Sequence, residues 1–418
     1  MNPRTWAVVA FAGLLVVAAV TAALVVPWSR PPAPRADQLA ALHELPADQV
    51  ARGRALHSEL RPSSYGSLVL GLAVAVILGF TPLGAKLVTT VARPFGGHWV
   101  AQAVLGGLAV VLVGEVIAVP LAAWRHTILV RYGLSTQTWG GWLVDVLKAY
   151  AVGAVIGAVA LLGFYTITRL SPRWWWAWGA AGAAALVVVL SFVLPVVVEP
   201  IFNKFTPMEP GPLRDRLVAL AQRDGVPVRG VLVADASRRT RAVNAYVSGL
   251  GPTRRIVVYD TLLHEATEDE VESVVAHELG HAKDGDVSAG TALAALGAAA
   301  AVCGLYLLGG WTGLLHRAGV ESLTDPRGIA LLVAITTLAG LAAGPLQNAV
   351  SRRIEARADA HALALTGEPA TFEAMERRLA LVNLADVDPN PIEQLLFATH
   401  PSTVERIAAA RAYQRATR

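Results

Sequence analysis

The sequence contains a single cysteine and few charged residues. Cys303 is the one cysteine among 418 residues, which excludes an internal disulfide and a cysteine-based zinc site. Any metal ligands must therefore be histidine, aspartate or glutamate. Charged residues make up only 16% of the chain and hydrophobic residues 54%, and the mean hydropathy is +0.50. This composition excludes a soluble globular protein and predicts a membrane protein.

A strong excess of one charge is also missing. Lysine and arginine number 35 and aspartate and glutamate 31, which gives a net charge of +4 without a compact basic tract. This pattern excludes nucleic acid as an expected partner. The basic residues are better explained as topology signals in the loops between membrane spans.

Long apolar runs predict a mainly α polytopic membrane protein with about seven transmembrane helices, a small α/β insert and a helical C-terminal tail. The predicted spans cover residues 7–26, 65–91, 99–124, 144–168, 174–200, 287–315 and 327–347. The first span is a membrane anchor or, alternatively, a cleaved signal peptide. Pro82 kinks or ends the second span. The fifth opens with an expected aromatic belt at the membrane interface, made of Trp174, Trp175, Trp176 and Trp178.

These spans divide the chain into four predicted parts. They are an N-terminal membrane region with five spans (1–201), an insert (202–286), the sixth and seventh spans (287–347) and a helical C-terminal region (348–418). A short amphipathic helix is also expected around residues 37–60, within a polar loop. Basic residues, Arg30 among them, are enriched in that loop, in the connection at 125–148 and in the tail. The positive-inside rule therefore places the insert and the tail in the cytoplasm.

The insert contains the sequence VVAHELGHAKDGD at residues 274–286. On a helix, His277 and His281 lie on the same face, where both imidazoles can reach one metal ion. Glu278 lies between them and reaches a water molecule at the metal rather than the metal itself. This is the H-E-x-x-H arrangement of a zinc metalloprotease. The alternative is a solvated helical turn whose His and Glu side chains only cap and pair.

Short apolar stretches in the insert predict strands at residues 228–234, 244–246 and 255–259, with a turn at 249–252 before the last strand. Thr267 and Glu270 predict a capping box, so the helix that carries the histidines begins near Glu268. The insert is therefore expected to be an α/β unit that ends in the metal-binding helix.

A catalytic zinc site needs a third protein ligand and an open position for water. Asp286 follows His281 too closely in sequence to be that ligand and is better placed to orient a ligand histidine. The stretch SRRIEARADAHAL at residues 351–363 puts Glu355 and Asp359 on one helical face. Glu355 is therefore a candidate third ligand with Asp359 as its supporting neighbour. From the residues alone, a charged, solvated helix face is the favoured explanation of the same pattern.

Several separated motifs together resemble the type I CAAX prenyl endopeptidases, a family of integral-membrane zinc metallopeptidases. HELGH with SRRIEARAD downstream is similar to this family. So are YGLSTQT at Tyr132, EPIFNKFTPM at Glu199, VNAYVSGLGPTRRIVVYDTLL at Val243 and THPSTVERI at Thr399. The resemblance covers roughly residues 115–407 with the motifs in the same order, which is more specific than H-E-x-x-H alone.

The resemblance implies one zinc ion per chain, held by His277, His281 and Glu355, with Glu278 as the general base. Asp286 and Asp359 then support the ligands.

It also implies that Asn244 and Ala245 belong to an edge strand whose backbone pairs with an extended peptide substrate. His400 is implied to stabilise the oxyanion, although a structural histidine before a proline turn is the alternative. Arg406 is implied to lie near the site and to bind substrate.

The implied function is that of a membrane zinc metalloendopeptidase. Its expected partners are a peptide or membrane-protein substrate and the lipid bilayer, with no obligate protein partner. The tail ends RAYQRATR, without the endoplasmic-reticulum signal of eukaryotic members, and the Ala, Gly, Val and Arg bias is typical of a GC-rich bacterial genome. We therefore expect a bacterial inner-membrane protease that degrades damaged membrane proteins.

Two functions outside that family are the alternatives. A zinc-binding transporter or scaffold has no need of Glu278 as a base. An intramembrane-cleaving protease carries its H-E-x-x-H motif inside a span, whereas this motif lies in the insert.

Overall fold

The computed structural model describes residues 2–29, 32–249 and 251–418. Arg30, which entered the orientation argument, and Leu250, inside the turn expected at 249–252, lie outside these ranges. The helices before the insert are α1 (Pro3–Val25), α2 (Arg35–His43), α3 (Ala47–Gly79), α4 (Pro82–Ala92), α5 (Trp99–Ala101), α6 (Gly107–Arg131), α7 (Trp139–Leu170), α8 (Trp175–Val197) and α9 (Glu199–Phe202).

The insert contains four short strands and leads into the remaining helices. In chain order these elements are β1 (Phe205–Pro207), α10 (Pro212–Arg223), β2 (Val231–Ala234), β3 (Ala245–Ser248), β4 (Arg255–Tyr259), α11 (Asp260–Glu265), α12 (Glu268–Asp284), α13 (Asp286–Leu308), α14 (Thr312–Arg317), α15 (Ile329–Thr366), α16 (Pro369–Val382), α17 (Pro391–Phe397) and α18 (Thr403–Ala416). Short 3₁₀ turns occupy Arg93–Phe95, Ala236–Arg238, Gly251–Thr253 and Pro326–Gly328.

Seven helices of the described residues are long and apolar enough to cross a membrane. They cover Pro3–Val25, Ala47–Gly79, Trp99–Arg131, Trp139–Leu170, Trp175–Phe202, Asp286–Leu308 and Pro326–Thr366. A π-helical turn, Gln102–Gly106, joins α5 to α6 within the third of these helices. The predicted fold class of a mainly α membrane protein with a small α/β insert is therefore confirmed.

The helix α3 differs from the prediction for the loop before it. It begins at Ala47 and continues to Gly79, so the second span and most of the helix expected at 37–60 form one helix of 33 residues. The first part of the expected range is the separate helix α2 (Arg35–His43), so a loop helix is present, but it ends at His43 and not near residue 60. The break expected near Pro82 is confirmed: Thr81 caps α4 and Pro82 takes its first position.

The four strands form one sheet in the order β1-β2-β4-β3. β2 and β4 are parallel, while β1 and β3 pair antiparallel with their neighbours. The strand β1 was not predicted; its three residues end in Pro207, which weakens the sequence signal of a strand. β3 lies at an edge, and on its paired side Ala245 is opposite Val258. Ala245 is buried in the same hydrophobic cluster as residues 274–276 of α12, so this edge strand lies against the helix that carries the histidines.

The helix α12 begins and ends where its sequence dictates. The Thr267 side chain accepts a hydrogen bond from the Glu270 N–H, and the Glu270 carboxylate accepts one from the Thr267 N–H. The predicted capping box is therefore confirmed. Gly285 ends α12 with a φ of 70°, a left-handed conformation that glycine adopts without strain. The next residue, Asp286, begins α13.

The tryptophans at the start of α8 do not all form the expected interfacial belt. Trp178 is 64% exposed and fits a belt, but Trp175 and Trp176 are only 5% and 6% exposed. Both buried rings pack against Tyr306 of α13, with ring centroids 5.4 and 5.9 Å apart. The prediction was half wrong because the four residues do not share one face of the helix. Trp174 and Trp178 are exposed, whereas Trp175 and Trp176 face the neighbouring helix α13.

Candidate metal centre

The two histidines of α12 meet on one face of the helix. Their spacing of four residues stacks the side chains one turn apart, and His277 Nε2 lies 3.1 Å from His281 Nε2. The two rings are nearly perpendicular, with centroids 4.8 Å apart. Both Nε2 atoms therefore face the same point, which is the arrangement that two imidazole ligands of one metal require.

Glu355 reaches the same point from α15. Its Oε2 lies 3.2 Å from His277 Nε2, and its Oε1 lies 3.6 Å from His281 Nε2. One ligand atom from each of the three residues lies within 4.8 Å of the others. The structure thus brings the three predicted ligands together.

The close approach of α12 and α15 depends on Gly280, within the HELGH motif. A Cβ atom at position 280 would lie 3.1 Å from the His361 side chain of α15. A larger residue at position 280 would require the His361 ring, on the helix that carries Glu355, to shift by a few tenths of an ångström.

The donor set fits a zinc ion. Glu355 Oε2 is buried. His277 Nε2 and His400 Nε2 lie 3.2 and 3.4 Å away, but no described donor meets this oxygen in hydrogen-bond geometry, which is rare for a polar atom in a protein interior. Two imidazole nitrogens and a carboxylate oxygen are the ligands of catalytic zinc sites that keep a fourth position open. A cation at this point would satisfy the unpaired carboxylate oxygen.

His277 is held from behind by a chain of charged groups. Its Nδ1 donates to Asp359, with a nitrogen to oxygen distance of 2.8 Å. Arg406 of α18 donates to Asp359 through Nε at 2.9 Å and also pairs with Glu376 of α16 at 2.8 Å. Arg406 therefore contacts the carboxylate that orients His277, and only 12% of its side chain is exposed.

His281 is held by a second chain of the same kind. Its Nδ1 lies 2.8 Å from Asp286, the first residue of α13. Arg357 of α15 pairs with Asp286 and with Asp284, the latter at 2.7 Å. The same guanidinium donates to the Val25 carbonyl at the end of α1, at 3.0 Å. Each ligand histidine thus has a carboxylate and an arginine behind it.

The surroundings change the pKa values of the α12 side chains. Burial lowers the pKa of His277, but the adjacent carboxylates of Asp359 and Glu355 outweigh it and raise the pKa to about 10. The same competition, with Asp286 and Glu355, raises the pKa of His281 to about 9. Burial also raises the pKa of Glu278 above its ordinary value.

His400 also reaches the ligand cluster. Its Nε2 lies 3.4 Å from Glu355 Oε2, and 59% of its side chain is exposed. The loop that carries it is fixed by Arg352, which donates to the carbonyls of Gln394 and Ala398 at 2.8 and 2.6 Å. Gln394 in turn donates to the His400 carbonyl at 3.1 Å. His400 is therefore placed beside the site with one side open to a substrate.

The residues expected to bind substrate lie in different settings. Ala245 opens the edge strand β3, and Asn244 directly precedes it and is exposed. Tyr246 of the same strand donates to Glu199 at 3.0 Å, which ties β3 to the end of the fifth membrane helix. Arg406, by contrast, is enclosed between Asp359 and Glu376, so it faces the protein rather than an approaching peptide.

Comparison with known proteins adds independent information. The family profile described as "Peptidase family M48" matches residues 207–414, and the profile described as "CAAX prenyl protease N-terminal, five membrane helices" matches residues 61–204. The chain belongs to peptidase family M48. It is therefore a membrane metalloprotease similar to the CAAX prenyl proteases.

Several curated relatives of this M48 protein are named metalloproteases or prenyl proteases. "Uncharacterized metalloprotease YhfN" of Bacillus subtilis (strain 168) is 29% identical over 72% of this chain and 71% of its own. "CAAX prenyl protease 1 homolog" of Arabidopsis thaliana is 30% identical over 67% of this chain and 66% of its own. "CAAX prenyl protease 1" of Saccharomyces cerevisiae (strain ATCC 204508 / S288c) is 32% identical over 50% of this chain and 45% of its own. The match thus spans just under two thirds of the plant relative and less than half of the yeast one.

A solved structure shares the fold of this M48 chain. The crystal structure of S. mikatae Ste24p superimposes with a TM-score of 0.80 over 97% of this chain and 99% of that one, at 22% sequence identity. The seven-helix membrane architecture with its small α/β insert is therefore the architecture of that protein. Family M48 also implies a bound metal and a peptide substrate.

Sequence reasoning missed Arg357 and Glu376. Arg357 lies two residues after Glu355, on another face of the same helix, so grouping residues by helical face left it out. Its position inside the stretch 351–363 was the only signal. Glu376 lies in α16 outside every motif, and no sequence pattern pointed to it.

Proposed function

We propose that the protein is a zinc metalloendopeptidase that hydrolyses peptide bonds of membrane-associated substrates. The observation that carries this proposal is the convergence of His277, His281 and Glu355 on one point, next to Glu278 on the same helix. A bound zinc ion supplies Lewis-acid activation of a water molecule and of the scissile carbonyl. Side chains of the protein carry out the proton transfers and the stabilisation of the oxyanion.

Glu278 acts as the general base and then as the general acid. It takes a proton from the attacking water and delivers it to the nitrogen of the leaving amine. Burial raises its pKa, which brings that pKa closer to neutral pH and suits a group that must both accept and release a proton. His400 donates a hydrogen bond to the oxyanion through Nε2.

The edge strand β3 aligns the substrate. An extended peptide that pairs with the free edge near Asn244 and Ala245 is fixed by backbone hydrogen bonds, which depend little on its side chains. We assign Arg406 to positioning rather than to substrate binding. It fixes Asp359, which fixes the imidazole plane of His277.

Replacing the base tests this mechanism. We expect Glu278→Gln to retain zinc but to lose roughly 10²- to 10⁴-fold in cleavage rate, since that is the usual contribution of a general base. We expect Glu355→Ala to lose zinc as well as activity. Detergent-solubilised protein is incubated with an unfolded peptide with and without a chelator, and zinc content is measured by atomic emission.

Glu265→Gln is the matched control, because Glu265 is 46% exposed and contacts only the neighbouring His264 in the described structure. It should cleave at the wild-type rate. Full activity of Glu278→Gln would remove Glu278 from the mechanism, and an unchanged zinc content of Glu355→Ala would remove Glu355 from the ligand set.

We further propose a location and a duty. The protein lies in a bacterial inner membrane with the metal centre on the cytoplasmic side, as the distribution of basic residues indicates. We keep the division into membrane regions 1–201 and 287–347, an insert 202–286 and a C-terminal region 348–418, with α15 crossing the last boundary.

Quality control of damaged membrane proteins is the proposed duty. Mass spectrometry of the peptides that accumulate in membranes with Glu278→Gln tests this duty. A single processed precursor would contradict it.

A further inference from the structure

The short helix α17 carries an exposed apolar face. Four large apolar side chains among its seven residues are exposed, namely Ile392, Leu395, Leu396 and Phe397. Among the described residues of the insert (202–286) and the C-terminal region (348–418), no other large apolar side chain is exposed. A concentrated apolar patch on an otherwise polar surface indicates a contact with an apolar partner.

The polar side chains of α17 bind the protein. Arg61 of α3 donates to both carboxylate oxygens of Glu393, at 2.7 and 2.6 Å, and the Tyr65 hydroxyl donates to the same carboxylate. Gln394 donates to the His400 carbonyl at 3.1 Å. The helix is therefore amphipathic, and these contacts hold its apolar side chains outward.

Two membrane helices hold α17 at the points where their apolar runs end. The Phe397 ring packs against Tyr65, with centroids 5.8 Å apart, and Tyr65 begins the apolar run of α3. Asn348 of α15 donates to the Leu396 carbonyl at 2.6 Å, directly after the apolar run that ends at residue 347. Both contacts place α17 at the boundary of the apolar layer, on the side of the metal centre.

The exposed face of α17 continues along α3 into the membrane span. Val69 and Val76 follow Tyr65 by one and three helical turns, so the three residues lie on one face. All three are exposed, Val69 to 64%. Through Phe397 and Tyr65, the apolar face of α17 thus joins an exposed apolar face of a membrane-spanning helix. This continuity favours the bilayer over a soluble partner.

We propose that α17 is an interfacial helix whose apolar side chains insert among the acyl chains of the leaflet next to the metal centre. Amphipathic helices lie in the plane of a membrane interface in this way. Tyrosine is enriched at the level of the lipid headgroups, and basic side chains reach it. Tyr65 and Arg61 occupy that level beside α17.

The bilayer then helps to position His400. Arg352 donates to the carbonyls of Gln394 and Ala398, and Gln394 donates to the His400 carbonyl. The loop that carries His400 is therefore attached to α17 and moves with it. This consequence rests on the proposed peptidase function, in which His400 stabilises the oxyanion.

Fluorescence quenching tests the membrane contact directly. In a Cys303→Ala background, Leu395→Cys is labelled with a small fluorophore, and the protein is placed in lipid nanodiscs that contain an acyl-chain nitroxide lipid. We expect the nitroxide lipid to quench Leu395→Cys as strongly as Val69→Cys, which lies within the span. Glu368→Cys, exposed in the C-terminal region, is the control and should be quenched only by aqueous iodide.

Three results would overturn the proposal. The first is quenching of Leu395→Cys by iodide alone, as expected for Glu368→Cys. The second is a label that the nitroxide lipid does not reach but that a bound peptide shields in Glu278→Gln protein, which would identify a substrate surface. The third is a disulfide between two copies of Leu395→Cys without lipid quenching, which would identify a contact between copies of the chain.

A charge on the apolar face tests the link to His400. Leu395→Asp should withdraw α17 from the acyl chains and lower kcat roughly tenfold, which is part of the 10²- to 10³-fold that one oxyanion donor contributes. KM and zinc content should not change. Leu395→Met should restore most of kcat because it is again apolar. Leu39→Asp, at an exposed leucine of α2, is the matched control and should cleave at the wild-type rate.

A double variant shows whether α17 acts through His400. In a His400→Ala background, Leu395→Asp should cause no further loss of kcat, because the two changes remove the same interaction. An equal loss in both backgrounds would show that α17 does not position His400. If the wild-type protein cleaves no peptide, the peptidase proposal fails, while the quenching result still decides the membrane contact.

Discussion

At the scale of single residues, the orientation of the two histidine rings determines the geometry of the metal centre. Each ligand histidine turns its Nε2 toward the shared point because its Nδ1 is engaged, His277 by Asp359 and His281 by Asp286. Sequence reasoning identified both carboxylates as supporting residues from their proximity to the ligands. The structure adds the arginines behind them, Arg406 and Arg357. Removing one partner of such a buried pair leaves an uncompensated charge, which costs about 3–5 kcal/mol of stability.

The pKa values of the two histidines predict how zinc binding depends on pH. In metal-free protein the neighbouring carboxylates raise the pKa of His277 to about 10 and that of His281 to about 9. The two Nε2 atoms face each other at 3.1 Å, so at neutral pH the pair holds at least one proton that zinc binding must release. The affinity should therefore rise as pH rises, by about tenfold per pH unit for each proton released.

The decisive interval is pH 7.5 to 9, where histidines of ordinary pKa are already neutral. Titration calorimetry in buffers of different ionisation enthalpy measures the number of protons released. Asp359→Asn removes a hydrogen bond that raises the pKa of His277 and should reduce that number. An affinity that does not change between pH 7.5 and 9 would contradict the expectation.

At the scale of elements, α15 connects the membrane to the catalytic centre. It runs without interruption from Ile329 to Thr366, across the boundary expected between the seventh span (to 347) and the C-terminal region (from 348). Pro345 lies inside it and does not end it. Glu355 is therefore a rigid extension of a membrane helix, and its position relative to the histidines is set by how α12 packs on α15 across Gly280.

Arg357 extends this connection to the first membrane helix. It joins the Val25 carbonyl at the end of α1 to Asp286 and so to His281. We expect Arg357→Gln to release zinc to a chelator roughly 10- to 100-fold faster, since losses of supporting contacts weaken metal binding by such factors. Arg357→Lys should restore part of the retention because it keeps the charge next to Asp286.

Arg377→Gln serves as the comparison. Arg377 is similarly buried, at 26% side-chain exposure against 22% for Arg357, but it pairs with Glu44 and Glu373 away from the metal centre. It should retain zinc as the wild type does. A chelation rate of Arg357→Gln equal to that of Arg377→Gln would show that Arg357 does not position His281.

At the scale of the whole molecule, seven spans place the two ends of the chain on opposite sides of the membrane. The tail packs against the polar segment before α3, through Arg415 with Asp37 and Arg35 with Asp388. The tail also shares a hydrophobic cluster with the insert, through Phe372, Met375 and Ala410, so the three parts lie on one side. We propose, on the positive-inside rule, that this side is the cytoplasm.

Cysteine accessibility tests that assignment. In a Cys303→Ala background, Glu368→Cys marks the side of the metal centre and Arg173→Cys marks the opposite side, since both positions are exposed. An impermeant maleimide added to intact spheroplasts should label Arg173→Cys and spare Glu368→Cys until the membrane is opened. The reverse pattern would place the metal centre outside the cytoplasm.

The sequence by itself determined the membrane class, the seven spans, the capped helix α12 and the histidine pair, because apolar runs, caps and helical spacing are local properties of a chain. It also identified Glu355 as a candidate ligand, but from residues alone a solvated helix face was the favoured explanation of Glu355. Only the tertiary structure decided that α15 meets α12 and that Arg406 faces inward. These facts depend on packing between segments far apart in sequence, which no local pattern records.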